Sequence, residues 1–533
     1  MINAGRFFLR FAFLIFALQP AAAQIWQPDR GDGTYQNPVI WADYSDPDLI
    51  RVGQDFYMTA SSFNAVPALP ILHSTDLVNW EIINHAVERF PDSYFDIPQH
   101  GKGVWAPSLR YHDGWFYIYW GDPDRGIFRV RTRDPRGEWS APVLVKKAFG
   151  NIDPCPLWDE DGKVYLVHAF ANSRAGVSHV LQLQELTPDG ASVTANRNII
   201  ISGLPENPTL EGPKFYKRDG WYYIFAPAGG VATGWQMVYR SRNIWGPYQE
   251  RRVLEQGKTG INGPHQGGWV TLENGEDWFV HFQEKQPFGR IVHLQPMRWV
   301  DGWPVMGLDE DGDGTGEPVA RFRKPSVSAI PPAKTPPGRD EFDASRFNPA
   351  WQWQANFYPH WYSMTDNPGY LRLNAVYHPS RASLWMVPNI LAQKIPGPQF
   401  TATVKLDGAN LKAAESAGLV MLGLDYAALA LTSSEEGYRL NLIVCENADQ
   451  GFSGQSTGGV LLTSGLVYLR AVFSEDAKCR FSFSVDGSNF IKIGEPFSVR
   501  EGRWIGAKIG LFALSAQETG MKGFADVDWF RLE

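Results

Sequence analysis

The chain has few cysteines, and this scarcity excludes two classes of protein. Only Cys155, Cys445 and Cys479 occur among 533 residues, so at most one disulfide can form. A disulfide-stapled scaffold is therefore excluded, and no Cys/His cluster with zinc-binding spacing is present. Cys445 and Cys479 are the only pair expected to share a domain, and three buried, reduced thiols are the alternative.

Positive charge is also scarce, with 49 basic against 57 acidic side chains and a net charge of −8. Residues 1–23 contain two arginines, an apolar run and a final Ala-Ala-Ala, which is typical of a secretory signal peptide. Without them the chain carries 47 basic and 57 acidic side chains, a net charge of −10. Such a chain should not attract nucleic acid or an anionic membrane surface. We expect a neutral partner, a location outside the cell or in the periplasm, and no membrane association after signal removal.

Helical periodicity is rare, whereas strand patterns rich in aromatic residues recur. A glycine-bearing turn leads into such a strand five times, in "VGQDFYMTAS", "YHDGWFYIYWG", "DEDGKVYLVHAF", "KRDGWYYIFAPA" and "ENGEDWFVHFQ". A proline precedes each copy at the head of a short apolar segment: Pro47, Pro107, Pro154, Pro213 and Pro264. Intervals of 47 to 60 residues between these prolines are typical of solenoids and propellers. An all-strand unit predicts a five-bladed β-propeller over residues 24–324; chance hairpins in a sandwich are the alternative.

In a propeller the innermost strand of each blade faces the central channel, so residues around the five prolines should meet there. They are Asp46, Trp105, Asp153, Glu211, and Asn262 with His265. Three carboxylates in one pocket repel one another, and burial disfavours their charged forms, so their pKa values should move apart. Such a set can perform acid–base hydrolysis of a glycosidic bond. Calcium binding and structural capping of strand ends remain open alternatives at this point.

Seven segments occur in an order that carries a resemblance: "NPVIWADYSDPDLIRVGQDFYM", "HSTDLVNW", "VWAPSLRYHDGWFYIYW", "NIDPCPLWDEDG", "EGPKFYKRDGWYYIFAPAGG", "NGPHQGGWV" and "GRIVHLQPMRW". The chain resembles glycoside hydrolase family 43, five-bladed propeller enzymes that invert stereochemistry, and above all its two-domain α-L-arabinofuranosidase and β-xylosidase members. The resemblance implies a secreted, exo-acting glycosidase. Its substrates would be terminal α-L-arabinofuranosyl or β-D-xylosyl residues of plant cell-wall polysaccharides or oligosaccharides, such as arabinoxylan, xyloglucan and arabinan.

The resemblance also implies roles for individual residues. Asp46 matches the general base, Glu211 the general acid, and Asp153 the aspartate that raises the pKa of the acid and orients it. Arg290 matches an arginine beside the terminal sugar, with an ordinary surface arginine as the alternative. His265 matches a histidine near the propeller axis that contacts a central calcium ion or a water in its place. No cofactor is required, and a structural Ca²⁺ on the axis is allowed.

Two aromatic residues, Trp105 and Phe63, are candidates to face the sugar, although either could belong to the core. Asp48 is expected at a strand end outside the catalytic set. The segments "SSFNAVPALPILHSTDLVNW" and "APAGGVATGWQ" favour arabinofuranosidase over β-xylosidase activity. Endo-arabinanase activity is disfavoured, and a non-catalytic glycan-binding propeller remains the alternative from another class. No feature of the sequence indicates an oligomeric state.

The last third of the chain differs in composition. Residues 325–340 are rich in proline and predict a stiff connector, and residues 341–533 alternate like the strands of a β-sandwich. This region resembles the concanavalin-like C-terminal domain of the same enzymes. The resemblance implies that it packs against the propeller and that one loop closes the pocket, with 356–362 and 515–523 as candidates. An independent sugar-binding module is the alternative.

An acidic run, "LDEDGDGTGEP", imitates the start of an EF-hand loop. The glutamate expected at its twelfth position is replaced by Ala320, and no flanking helices are evident. We therefore predict an acidic surface turn around Asp309, Asp311 and Asp313.

Overall fold

The computed structural model describes residues 25–327, 339–520 and 522–533. The predicted signal segment, residues 1–23, and most of the predicted connector, residues 325–340, lie outside these ranges. The first part of the chain forms five four-stranded antiparallel sheets, each a meander in which consecutive strands pair. These sheets are the five blades of a β-propeller, which confirms the predicted fold class. No helix among the described residues is both long and apolar enough to cross a membrane.

The first strand of each blade is the innermost, and these inner strands contact one another around the channel. The strands are, in blade I, Asp48–Val52, Asp55–Thr59, Ala68–Ser74 and Glu81–Val87; in blade II, Trp105–His112, Trp115–Asp122, Gly126–Thr132 and Val143–Lys147; in blade III, Asn151–Trp158, Val164–Phe170, Val180–Leu186 and Val193–Ser202; in blade IV, Lys214–Arg218, Trp221–Ala228, Trp235–Ser241 and Gln249–Leu254; and in blade V, His265–Thr271, Asp277–Lys285, Gly289–Val300 and Trp303–Met306.

The second strand of each blade explains the aromatic repeats. In Trp115–Asp122 every residue after the first is buried, and the first seven residues of Asp277–Lys285 are buried as well. Adjacent blades cover both faces of such a strand, so it reads as a continuous apolar and aromatic run instead of an alternating one. The glycine turns mark the hairpins that lead into these strands.

The ring is closed by the segment that precedes blade I. Thr34–Gln36 pairs antiparallel with Arg321–Arg323, which follows blade V. Further along, the amide of Tyr44 donates to the carbonyl of Arg290 in blade V at 3.0 Å. This pairing covers sheet edges that would otherwise be exposed, and it brings Asp46 next to the third strand of blade V.

The rest of the chain forms a β-sandwich, as predicted. Leu419, Leu429 and Leu511 of one sheet and Leu469 and Phe483 of the other are buried in its core. One sheet contains Arg339–Asp340, Tyr362–Ser363, Leu371–Asn374, Phe400–Asp407, Leu466–Ser474, Lys478–Ser484, Ile491–Lys492, Phe497–Ser498 and Phe524–Leu532, and the other contains Gln352–Trp353, Val376–Tyr377, Leu391–Lys394, Ser416–Leu422, Tyr426–Ser434, Gly437–Cys445, Gln455–Leu462 and Lys508–Ser515.

Among the described residues helical structure is confined to short turns, and the three thiols are buried and unpaired. The helical turns are Asn172–Ala175, an α-helical turn, and the 3₁₀ turns Ser93–Asp96, Pro359–Trp361, Leu384–Met386 and Ala448–Gln450. Cys445 and Cys479 lie in opposite sheets of the sandwich, and neither forms a disulfide. The reduced-thiol alternative therefore describes this structure.

The sandwich packs directly against blade I. Val66 and Trp353 exchange two backbone hydrogen bonds across the interface, at 3.0 and 2.6 Å. The amide side chain of Asn356 accepts from the backbone N–H of Phe90 and donates to its carbonyl, at 2.9 and 3.0 Å. One apolar cluster continues from blade I into the sandwich core. The two domains therefore share a core as well as hydrogen bonds.

Candidate active site

The head of every inner strand carries a residue in the left-handed backbone region. In blades I to IV this residue directly precedes a proline, where the chain is normally extended, and a left-handed conformation is costly for most side chains. The residues and their φ values, from blade I to blade V, are Asp46 (54°), Ala106 (27°), Asp153 (55°), Gly212 (57°) and Gln266 (40°). Backbone strain of this kind clusters at functional sites, and here it marks one end of the channel.

Asp46 is a buried carboxylate surrounded by donors. Its Oδ2 accepts hydrogen bonds from the hydroxyls of Ser45 and Ser61, at 2.9 and 2.6 Å. Arg290 Nη1 lies 3.1 Å from Asp46 Oδ1 and 2.7 Å from Ser45 Oγ. The guanidinium is buried and packs over the ring of Phe282 at 4.9 Å. Arg290 is therefore an internal partner of Asp46, and the surface-arginine alternative is wrong.

Asp153 is also buried, and its charge is opposed by its surroundings. Burial, together with the negative charges of Glu211 and Asp46, raises the pKa of Asp153 well above its ordinary value. Its Oδ2 accepts the backbone N–H of Gly212 at 2.8 Å, so it holds the peptide that follows Glu211. The structure thus brings the three predicted carboxylates into one electrostatic cluster, in which Asp153 is the buried member with a raised pKa.

Glu211 is the most accessible of the three carboxyls, with 24% of its side chain exposed. Its Oε1 lies 2.9 Å from Nε2 of His265, which is fully buried. Nδ1 of His265 has no hydrogen-bond partner among the described residues, so we place the ring proton on Nε2, where it donates to Glu211. His265 therefore orients the carboxyl that faces the solvent.

His265, the predicted calcium contact, bonds Glu211 through Nε2, and its Nδ1 has no partner among the described residues. A calcium ion on the axis stays a prediction. Among the described residues, the His, Cys, Asp and Glu side chains that form a group of three close enough to hold a metal are Asp309, Asp311 and Asp313. Asp309 accepts backbone N–H groups of that same loop, as expected for the acidic turn.

The two predicted aromatic residues lie side by side. Phe63 is buried and meets the half-buried Trp105 edge to face at 6.3 Å. The indole N–H of Trp105 donates to the carbonyl of Gly101 at 2.9 Å. Their contact with a sugar stays a prediction. Asp48 is buried beside the channel, and Arg110 Nη1 donates to its Oδ2 at 2.7 Å, which leaves it outside the three-carboxylate cluster.

The second domain approaches Arg290 through residues 501–505. They line a cavity of about 180 Å³ at Arg290. Trp504 is half exposed and has a φ of 63°, a strained conformation for a bulky residue. Closure of the pocket by 356–362 or 515–523 stays a prediction, since the cavity at Arg290 is lined by other residues of the second domain. The sequence signal, an aromatic residue in a glycine-bearing loop, occurs at too many positions to single out this one.

Comparison with known proteins agrees with this geometry. Residues 35–304 match the profile "Glycosyl hydrolases family 43", and residues 339–533 match "Beta xylosidase C-terminal Concanavalin A-like domain". A putative β-xylosidase of Xylanibacter ruminicola is 39% identical over 90% of this chain and 86% of its own length. A β-xylosidase of Formosa agariphila is 32% identical, covering 94% of this chain and 90% of its own.

Two further relatives extend the comparison. A non-reducing end α-L-arabinofuranosidase of Bacteroides ovatus is 30% identical over 93% of this chain and 94% of its own. The crystal structure of a family 43 protein from Bacillus licheniformis superposes with a TM-score of 0.81 at 27% identity, covering 94% of this chain and 99% of that one. The fold and enzyme class expected from the sequence are thereby confirmed. This chain belongs to glycosyl hydrolase family 43.

Proposed function

We propose that this hydrolase removes single terminal β-D-xylosyl or α-L-arabinofuranosyl units from plant cell-wall polysaccharides or oligosaccharides such as arabinoxylan, xyloglucan and arabinan, with inversion of stereochemistry. The observation that carries the proposal is the cluster of Asp46, Asp153 and Glu211. The relatives at 39% and 32% identity are named β-xylosidases, and one at 30% is named an arabinofuranosidase. These names favour β-xylosidase, whereas the sequence segments favoured arabinofuranosidase. The signal-like residues 1–23 support export to the place where such polymers occur.

Asp46 acts as the general base. A base that activates water must carry a negative charge and still have a free lone pair. Arg290 and the hydroxyls of Ser45 and Ser61 stabilise that charge by donating to it, and the two carboxylate oxygens offer about four acceptor sites in all. The carboxylate can therefore take a proton from a water that attacks the anomeric carbon.

Glu211 acts as the general acid. Its carboxyl is the one that solvent reaches, so the leaving oxygen of a bound sugar can approach it. His265 holds it from the buried side. Asp153 does not touch the leaving group in this scheme. Its Oδ2 accepts the N–H of Gly212, so it fixes the backbone behind Glu211 and orients the acid, and a negative charge on it would raise the pKa of the acid.

The proposal is tested with 4-nitrophenyl β-D-xylopyranoside and 4-nitrophenyl α-L-arabinofuranoside, then with arabinoxylan and xyloglucan oligosaccharides. NMR of the first-formed sugar reports inversion or retention. Glu211→Gln and Asp46→Asn should each lower kcat by about 10²–10⁴-fold, the usual contribution of general acid–base groups. A leaving group that needs no proton, such as a glycosyl fluoride, should restore part of the activity in Glu211→Gln only. Equal rescue of both variants would contradict the assigned roles.

A further inference from the structure

Lys214 is a buried ammonium group inside the propeller. It is the first residue of the inner strand of blade IV and is completely buried. Its Nζ donates to the carbonyl of Pro107 at 3.1 Å and to the hydroxyl of Ser108 at 3.2 Å. Both partners belong to the inner strand of blade II. Because blades II and IV are not adjacent, the lysine side chain crosses the central channel.

This ammonium belongs to a second ring of residues beneath the strained ones. Each member follows a left-handed residue by two positions, and the members are Asp48, Ser108, Cys155, Lys214 and Gly268. A Cβ atom on Gly268 would lie 2.7 Å from Asp48 Oδ1, which shows how tightly the ring is packed. The upper ring holds the reacting carboxyls, so Lys214 lies one layer below them.

The other charges near the channel already have partners of opposite sign. Arg290 pairs with Asp46, and Arg110 pairs with Asp48. Lys214 has only neutral hydrogen-bond partners among the described residues, and burying a charge in that way is costly. The field of Lys214 reaches Asp153, where it opposes the rise in pKa caused by burial and by the neighbouring carboxylates.

The titratable groups around Lys214 lie in two layers, the pocket layer and the layer beneath it. Those of the pocket layer are Asp46, Asp153 and Glu211, and those of the lower layer are Asp48, Arg110, Cys155 and Tyr216. The pocket layer also holds the imidazole of His265 and one cation, Arg290. Lys214 adds a positive charge from the lower layer, and that charge acts on Asp153.

We propose that Lys214 is a positioning residue for the hydrolysis, a built-in counter-ion that lies under the carboxyl cluster and supplies the positive charge that a divalent cation would otherwise bring to the axis. The inference rests on the proposed roles of Asp46 and Glu211.

The test replaces the charge while keeping a donor. Lys214→Gln retains an N–H group for Pro107 or Ser108, and Ser108→Ala, which keeps the ammonium, is the matched control. The wild-type enzyme is first shown to cleave an aryl glycoside, because inactivity there would refute the proposed function and not the role of Lys214. Then kcat and KM are measured between pH 4 and pH 9 for all three proteins.

Loss of the cation makes every carboxylate harder to ionise, so both limbs of the kcat/KM profile of Lys214→Gln should move to higher pH by about one unit. The kcat at the wild-type optimum should fall while KM changes little, and Ser108→Ala should keep the wild-type profile. EDTA should leave wild-type activity unchanged. If Lys214→Gln does not fold, Lys214→Met replaces it, since an apolar side chain of similar length fills the same channel.

Two results would overturn the proposal. One is a folded, charge-free variant whose pH profile superposes on that of the wild type. The other is a wild-type activity that EDTA abolishes and calcium restores, because the axis would then depend on an external cation.

Discussion

Asp153→Asn should make the protein more stable at alkaline pH. The raised pKa of Asp153 means that the native state holds a proton that the unfolded chain, with an aspartate pKa of about 3.9, releases. Stability therefore falls as pH rises from the unfolded pKa to the folded one. Asparagine is neutral at every pH, so the stability of the variant does not fall in this way.

Asparagine at position 153 keeps the backbone conformation and the hydrogen bond that the structure shows there. Asparagine tolerates the left-handed φ of 55° nearly as well as aspartate does, and its carbonyl can still accept the N–H of Gly212. Each unit by which the native pKa is raised is worth about 1.4 kcal/mol. In domains of 150–250 residues, 1 kcal/mol shifts Tm by about 2–4 °C. The variant should thus melt at least about 2 °C above the wild type at pH 8.

The assay is scanning calorimetry of both proteins from pH 4.5 to pH 8.5 at fixed scan rate. The difference in Tm should shrink toward zero at the acidic end and widen as pH rises. Asp153→Ala is the control, since it removes the acceptor for Gly212 and should be less stable than Asp153→Asn throughout. A difference between Asp153→Asn and the wild type that does not depend on pH would refute the reasoning.

Three further predictions follow from the site and the sandwich. Arg290→Met should lower kcat/KM by about 10–100-fold, because a hydrogen bond to a charged group such as that from Arg290 to Asp46 is worth about 1.5–3 kcal/mol; an unchanged kcat/KM would contradict the pairing. Trp504→Ala should raise KM severalfold with kcat nearly unchanged if residue 504 only contacts bound substrate, and a larger effect on kcat would refute this. Reductant should leave Tm unchanged, because Cys445 and Cys479 are unpaired; a lowered Tm would reveal a disulfide.

The propeller and its three acids could be predicted because their signals are local. In the sequence, each blade is marked by a proline at the head of its inner strand and by a glycine turn before an aromatic strand. Asp46 and Asp153 occupy the same position of that repeat, and Glu211 lies one residue earlier because Gly212 takes the strained position. The repeat alone is therefore enough to align the three acids.

The other features of the site could not be predicted, because they depend on contacts between distant parts of the chain. Arg290 reaches Asp46 across 244 positions, and only closure of the ring brings them together. Residues 501–505 meet the pocket because the sandwich docks on the propeller, which no periodicity reveals. Lys214 resembles any charged residue at a strand start until its burial is known. The depth at which Asp153 lies, and hence its raised pKa, is likewise a property of the packed molecule.

The placement of residues 501–505 has a consequence for how such enzymes can diversify. The three acids of the cluster are all encoded before position 212, whereas part of the wall of the cavity at Arg290 is encoded some three hundred codons later. Recombination that exchanges only the C-terminal half between relatives would reshape that wall and leave the acids untouched. The recombinant enzymes would keep the three acids and differ in substrate preference, provided that the incoming domain still forms the interface hydrogen bonds with Val66 and Phe90.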